Sequence, residues 1–168
     1  MHIQTLLTNK EAEVLKKWFY TLVKQLYPQQ TAKFFSSEKD PFANPVGTKI
    51  YDGLQSIYSH LLGNKADDKM YASLEDIIRV MVVQSTAPSQ GLSFMFSLKD
   101  IIRNELIGEL GNEVLGSEEL AQLERQIDGM LLVAADVYHD CREKIYANRV
   151  EEVKRNNFRL LQRANLID

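Results

Sequence analysis

The sequence has 168 residues, of which 45% are hydrophobic and 26% are charged, as is ordinary for a single globular domain. The formal net charge of −3 provides no overall basic field, so binding to nucleic acid is not expected. The single cysteine, Cys141, excludes an intrachain disulfide, and residues 1–5 lack the features of a signal peptide. No apolar run approaches the roughly 18 residues of a membrane span, so we expect a cytoplasmic protein without a membrane partner.

The first predicted helix begins near Thr8, where Thr8 and Glu11 match the capping-box pattern. Apolar residues then recur at helical spacing as far as Tyr27, where the following proline disfavours helix. A short second helix is predicted over residues 29–35, and residues 36–45 have the composition of a loop.

The middle of the chain predicts three more helices. Asn44 as N-cap and Pro45 at the first helical position begin the third helix, which stops at the Gly63–Asn64 pair. Residues 74–84 are rich in β-branched side chains, but we predict a helix because the sequence offers no second strand to pair with it. A fifth helix is predicted over residues 88–110, and it should lie centrally because apolar side chains surround most of its circumference.

The last predicted helix has two apolar faces. Ser117 caps it and no proline follows, so it is predicted to run to about Asn165, a length of about 70 Å at 1.5 Å per residue. Up to Ile145 the apolar residues form one stripe, which we assign to the domain core. From Tyr146 onward they form a second stripe, rotated by roughly 100° from the first. One straight helix cannot pack both stripes against the same neighbours.

We therefore divide the chain into a regulatory domain, residues 1–145, and an extension of the last helix, residues 146–168. The second stripe fits a heptad repeat in which a lone asparagine occupies one a position, a known register-setting device. Two interpretations stay open: the extension self-associates or docks on a partner, or it folds back on its own domain. The candidate interface residues are Tyr146, Val150, Val153, Asn157, Leu160 and Ala164.

Charge is unevenly distributed in the last third of the chain. Residues 142–163 contain seven basic and three acidic residues, a net charge of +4, whereas residues 105–128 contain seven acidic residues and one basic residue, a net charge of −6. A basic tail is suited to nucleic acid, to an acidic protein or to the acidic stretch of a second copy. A solvated helix face is the default interpretation.

The sequence contains no recognisable catalytic or metal-binding motif. Its three histidines are scattered, and it has no zinc-protease pattern, no paired-cysteine pattern, no nucleophile elbow and no glycine-rich phosphate loop. We therefore expect no catalytic residues, no metal and no cofactor. We favour a surface position for His60 over an axial haem ligand. We likewise favour a buried, unreactive side chain for Cys141 over a redox-active thiol.

Three cations, Arg79, Lys99 and Arg103, lie within apolar segments, where a buried charge needs an anionic partner. We favour internal carboxylates over a bound acidic ligand, with Glu75, Asp76, Glu105, Asp128 and Asp136 as candidates. The alternative function is that of a sensor for a small ligand or cofactor, with a pocket in the helical core. Its candidate binding residues are Tyr58, Arg79, Phe94 and Arg103.

A family resemblance rests on several segments that follow one another along nearly the whole chain. They are Trp18-Phe19 with Tyr27-Pro28, residues 39–47, Ile77-Ile78-Arg79 with Val83-Gln84, residues 87–90, Cys141 to Tyr146 with Arg149-Val150, and residues 160–165. Together these segments resemble the RsbRD N-terminal domain family, found in co-antagonists of the bacterial stressosome regulator RsbT.

The resemblance implies an all-α, globin-like bundle of about six helices without haem, with a long C-terminal helix. It also implies a domain that dimerises and whose terminal helix leads to a sulfate-transporter/anti-sigma-antagonist domain in related sensors. Because the sequence ends at Asp168, where that domain would begin, we expect a free-standing member. The predicted function is that of a non-enzymatic bacterial signalling module that forms a homodimer and binds regulatory proteins. The resemblance assigns no ligand-binding or catalytic residues.

Overall fold

The computed structural model describes residues 2–27, 43–63, 67–84 and 86–167, and all regular structure within them is helical. The helices are α1 (Ile3–Asn9), α2 (Glu11–Leu26), α3 (Pro45–Leu61), α4 (Asp67–Val83), α5 (Pro88–Gly91), α6 (Ser93–Leu110), a 3₁₀-helix (Asn112–Gly116) and α7 (Glu118–Arg163). The predicted all-α, globin-like bundle with a long C-terminal helix is confirmed. The helix predicted over residues 29–35, and the loop predicted over residues 36–45 except its last three residues, lie outside the described residues.

The N-terminal helix begins earlier than the capping box predicts. Thr8 lies inside α1, where its hydroxyl donates to the carbonyl of Gln4 at 2.8 Å, and α2 begins after Lys10 without a side-chain cap. The apolar residues upstream of Thr8 explain the difference. Ile3, Leu6 and Leu7 are all buried, and a helical turn places them together on the core.

The start of α3 follows the predicted chemistry. The side-chain oxygen of Asn44 accepts a hydrogen bond from the amide of Gly47 at 2.9 Å, and Pro45 occupies the first helical position. A Cβ at residue 47 would lie 2.2 Å from the Asn44 side chain, so a larger residue there would displace the side chain that caps the helix. Gly63 has the positive φ of +78° expected just beyond a helix end.

The middle segments are helical as predicted, with one interruption. Residues 74–83 belong to α4, and their helical assignment is confirmed. The predicted helix over residues 88–110 is divided into α5 and α6 at Leu92. Helix α6 packs chiefly against α2, and the side chain of Phe96 is more than half exposed, so its apolar surface is not covered on all sides.

Three aromatic residues fill the centre of the core. The Trp18 indole stacks on the Phe94 ring with centroids 5.9 Å apart, and its Nε1 donates to the Phe94 carbonyl at 2.7 Å. The hydroxyl of Tyr58 donates to the carbonyl of Leu7 at 3.0 Å. Each polar tip is thus satisfied by a backbone carbonyl, as buried tryptophan and tyrosine require.

Helix α7 is continuous over 46 residues, a length of about 69 Å. The Ser117 hydroxyl accepts from the amide of Leu120 at 3.3 Å and caps its start, as predicted. At the other end Asn165 has a φ of +56°, and the amide of Leu166 donates to the carbonyl of Leu161 at 3.0 Å, a Schellman stop. Ala164 is therefore the C-cap, and the second stripe ends there.

Candidate interaction surface

The two apolar stripes of α7 have opposite surroundings. The predicted core stripe is buried or half-buried along its length against the rest of the domain, and its members are Leu120, Leu123, Ile127, Leu131, Ala134, Tyr138, Cys141 and Ile145. Every residue from 146 to 167 is exposed. The predicted core stripe is confirmed as far as Ile145, and from Tyr146 onward all faces of α7 are exposed.

The second stripe, which we call the tail stripe, consists of Tyr146, Val150, Val153, Asn157, Leu160, Leu161 and Ala164. Its five large apolar side chains, all but Asn157 and Ala164, are between 41% and 62% exposed. The interpretation in which this part of α7 folds back on its own domain is wrong. The helix continues without a break to Arg163 and every residue beyond Ile145 is exposed, so the tail stripe extends beyond the domain.

Sequence reasoning missed Leu161 as a member of the tail stripe. Leu161 occupies an e position of the heptad, so on the helix surface it lies next to Val150 and Asn157. The pattern of a and d positions alone leaves it out, whereas a helical projection at 100° per residue includes it. Ile167, which the heptad pattern includes, lies beyond the helix end.

The three cations that lie within apolar segments, Arg79, Lys99 and Arg103, each pair with a carboxylate of the chain. Arg79 pairs with Glu75 at 2.8 Å, and Lys99 pairs with Asp128 at 2.6 Å, as the preference for internal carboxylates predicts. Arg103 binds Glu124, a residue not among the candidates, at 2.5 Å. This hydrogen bond raises the pKa of the Arg103 guanidinium.

Glu105 is the one charged side chain that is buried in the described part of the chain. Its carboxylate accepts from the ammonium groups of Lys10, at 3.0 Å, and Lys17. Burial raises the pKa of Glu105, but the hydrogen bonds from Lys17 and Lys10 outweigh burial and lower it below its usual value. The cluster joins the start of α2 to α6.

These ion pairs weaken the interpretation in which the basic tail docks on the acidic stretch, residues 105–128, of a second copy. Glu105, Glu109, Glu124 and Asp128 all have cationic partners within the chain. Within the described residues, no carboxylate lies within salt-bridge distance of the four tail arginines Arg149, Arg155, Arg159 and Arg163. The tail thus has unpaired positive charge, while much of the acidic stretch is already neutralised.

The four residues predicted to form a ligand pocket lie in different surroundings. Tyr58 and Phe94 are fully buried in the packed core, whereas Arg79 and Arg103 are exposed and paired with carboxylates. Surface cavities of about 200 and 220 Å³ lie elsewhere, beside His60 and beside Gln90, and none of the four residues lines either one. The ligand pocket stays a prediction that this geometry does not favour.

The thiol of Cys141 is buried on the core stripe. Burial raises the pKa of Cys141, so its reactive thiolate form is disfavoured. The structure supports the interpretation as a small core side chain.

Among the described residues, no group of three histidine, cysteine, aspartate or glutamate side chains is placed to hold a metal ion. None of the described helices combines the length and apolar character needed to cross a bilayer.

Comparison with known proteins adds one finding. The family model described as the RsbT co-antagonist protein RsbRD N-terminal domain matches residues 22–153. The match extends from the second half of α2 into the exposed part of α7. Neither a curated protein nor a solved structure matches the chain. The chain belongs to the family of RsbT co-antagonist RsbRD N-terminal domains, which are stressosome-related signalling domains.

Proposed function

We propose that this protein is a non-enzymatic signalling module that acts by protein–protein binding through the tail stripe. Its primary partner is a second copy of the same chain. One observation carries the proposal: the core stripe of α7 is buried or half-buried as far as Ile145, whereas every residue from Tyr146 to Ile167 is exposed. A row of exposed apolar residues on one helix face marks an interaction surface. Membership of a regulatory family supports the signalling role.

The stability of an unpacked helix also supports pairing through the tail stripe. Most helical stability in proteins comes from packing an apolar face, and the exposed part of α7 lacks such packing. The last four to five turns of α7 have no tertiary neighbour among the described residues that covers them. Pairing two tail stripes would bury those apolar side chains and stabilise both helices.

Asn157 favours a parallel pair in register. In a parallel dimer, residues at one a position meet their own copies, so Asn157 would face Asn157 and the amides would hydrogen bond. The apolar layers then also match, with Val153 against Val153 and Leu160 against Leu160. An antiparallel pair places Asn157 against a different residue of the stripe, which leaves its amide facing an apolar side chain.

The test compares two double variants of the full chain by sedimentation velocity. Val153→Glu with Leu160→Glu places two carboxylates in the tail stripe. Asn148→Glu with Gln162→Glu places the same two charges on the opposite side of the same helix, and both of these residues are exposed. Since burying a valine or leucine contributes about 1.5–3 kcal/mol, we expect the first pair to weaken dimerisation by about 100-fold or more.

The control pair is expected to change the dimer dissociation constant by less than about threefold, because exposed surface substitutions have small effects. Circular dichroism must show that both variants keep the helical domain. Equal loss of the dimer in both pairs would mean that added charge, and not the stripe, governs assembly. An unchanged dimer in the stripe variant would place the interface elsewhere.

A further inference from the structure

A small cleft lies where α7 leaves the domain, between the end of α4 and the side of α7. Its volume is about 80 Å³, and we call it the root cleft. Val82 and Ile145 form apolar walls, and Arg142, Tyr146 and Arg149 supply its polar rim. The cleft is too small for a cofactor or drug-sized ligand, which needs several hundred Å³. A single side-chain head group fits that space.

The rim offers hydrogen-bond donors. The Nε of Arg142 donates to the hydroxyl of Tyr146 at 3.0 Å, and the guanidinium carbon lies 5.3 Å from the centre of the Tyr146 ring. This contact fixes the guanidinium and leaves its terminal nitrogens available. Because the Tyr146 oxygen accepts from Arg142, its own proton is free to donate outward.

The other two polar side chains of the cleft, Tyr138 and Thr86, are satisfied by backbone carbonyls. The hydroxyl of Tyr138 donates to the carbonyl of Thr86, and the hydroxyl of Thr86 donates to the carbonyl of Met81 at 2.8 Å. In the described structure no carboxylate forms an ion pair with Arg142 or Arg149. Glu75 on α4 is held by Arg79 at 2.8 Å and by Lys144 at 3.8 Å. The root cleft therefore has donors and positive charge without an anion.

We propose that the root cleft binds a carboxylate side chain of an acidic protein segment that lies along the flank of α7. Arg142 and Arg149 are seven residues apart, which places them on the same face of the helix, about 10.5 Å apart along its axis. Arg163 lies two heptads beyond Arg149 on the same face, and we call these three arginines the arginine column. A helical partner with carboxylates at heptad spacing matches this column, because arginine pairs with carboxylates through two parallel hydrogen bonds.

The pattern of charges favours a protein over nucleic acid as the occupant. Glu143 and Glu152 are both exposed and lie close in sequence to the arginines of the column, and a phosphate backbone would be repelled by them. A partner protein can place neutral or basic residues opposite these glutamates. The proposal rests on the proposed function, since it names the chemistry of a second protein that the signalling module binds.

The experiment measures fluorescence anisotropy of a labelled synthetic helical peptide with glutamates at heptad spacing, titrated with the full chain. A glutamine version of the peptide and a duplex DNA of mixed sequence are the comparison probes. We expect the glutamate peptide to bind at least about tenfold more tightly than the glutamine peptide. Arg142→Gln with Arg149→Gln should weaken its binding by about tenfold or more. The matched control, Arg155→Gln with Arg159→Gln, should change it by less than about threefold.

Three results would overturn the proposal: no binding of the glutamate peptide at low salt, equal binding by the root-cleft variant, or tighter binding of the DNA with the same dependence on Arg142 and Arg149. Sedimentation of the same samples separates this proposal from the proposed function. A monomer that binds the peptide contradicts self-association and leaves the root cleft standing. A dimer that ignores the peptide contradicts the root cleft alone.

Discussion

Gly91 lies against the ring of Tyr138, so closely that a Cβ at residue 91 would be 2.7 Å from Cε2 of the ring. The ring cannot easily move away, because its hydroxyl is hydrogen bonded to the carbonyl of Thr86 and its side chain is buried. The contact packs the end of α5 against α7, about two helical turns before α7 leaves the domain. The contact therefore holds α7 on the domain close to the residue where its exposed part begins.

The first prediction concerns this contact. Gly91→Ala should lower the free energy of unfolding by about 1–3 kcal/mol, since adding a methylene-sized group to a packed site forces neighbouring groups to shift. Gly129→Ala is the matched control, because a Cβ at this position in the interior of α7 meets nothing within 4 Å. That change should stabilise the protein by about 0.5–1 kcal/mol through helix propensity. Urea unfolding measures both, and a neutral Gly91→Ala would show that the ring moves freely.

The second prediction concerns the buried carboxylate of Glu105. Glu105→Gln should lower the free energy of unfolding by about 1–3 kcal/mol at pH 7, because the substitution replaces the charge-assisted hydrogen bonds from Lys10 and Lys17. Glu109→Gln is the control, since Glu109 binds Lys10 from a half-exposed position, and its effect should stay within about 1 kcal/mol.

The same cluster predicts a pH dependence. The pKa of Glu105 is lower in the folded protein than its ordinary value, so the folded state favours the ionised form. Its stabilising contribution is present above the ordinary carboxyl pKa and is lost as the pH falls through the lowered pKa of the folded state. The difference in unfolding free energy between wild type and Glu105→Gln should therefore shrink in acid. A difference that grows below pH 4 would contradict this sign.

The third prediction concerns the lone asparagine of the tail stripe. Asn157→Ile should tighten self-association and allow higher oligomers, because a polar a residue specifies register and oligomer state at a cost in stability. Asn148→Ile, on another face of the same helix, should leave the oligomer distribution of the wild type. Light scattering after size exclusion gives the distribution. Weaker association of Asn157→Ile would mean that the asparagine binds a partner in some other way.

The fourth prediction concerns Cys141. Its thiol is buried, and burial raises its pKa, so a disulfide reagent such as dithionitrobenzoate should react slowly with the native protein near pH 7.5. In denaturant the same thiol should react at the rate of a free cysteine. Rapid modification of the native protein would show that α7 separates from the domain near this residue far more often than the packing indicates.

Features encoded by neighbouring residues were predictable from the sequence. The Asn44 cap, the Ser117 cap and the end of the core stripe at Ile145 depend on spacing within one or two helical turns, and the structure contains all three. The start of the first helix was mispredicted, because the burial of Ile3, Leu6 and Leu7 outweighed the local capping pattern at Thr8.

Contacts between residues that are far apart in the sequence could not be predicted from local sequence patterns. The break at Leu92 accompanies the contact between Gly91 and Tyr138, which are far apart in sequence. The pairing of Arg103 with Glu124 depends on how α6 lies beside α7. The root cleft joins Val82 to Arg149, so neither residue alone indicates it. Of the candidate interface, the sequence predicted the six residues of the stripe and a helix end near Asn165, but it missed Leu161 and left open whether the stripe packs on the domain.

The central claim is that the exposed stripe of α7 brings two chains together. The most direct test is the mass of the intact protein in solution, measured by sedimentation velocity over a wide concentration range. The chain has a mass of 19.3 kDa, and we expect a species of twice that mass that dissociates on dilution. A single species of 19.3 kDa at every concentration would contradict self-association through the tail stripe.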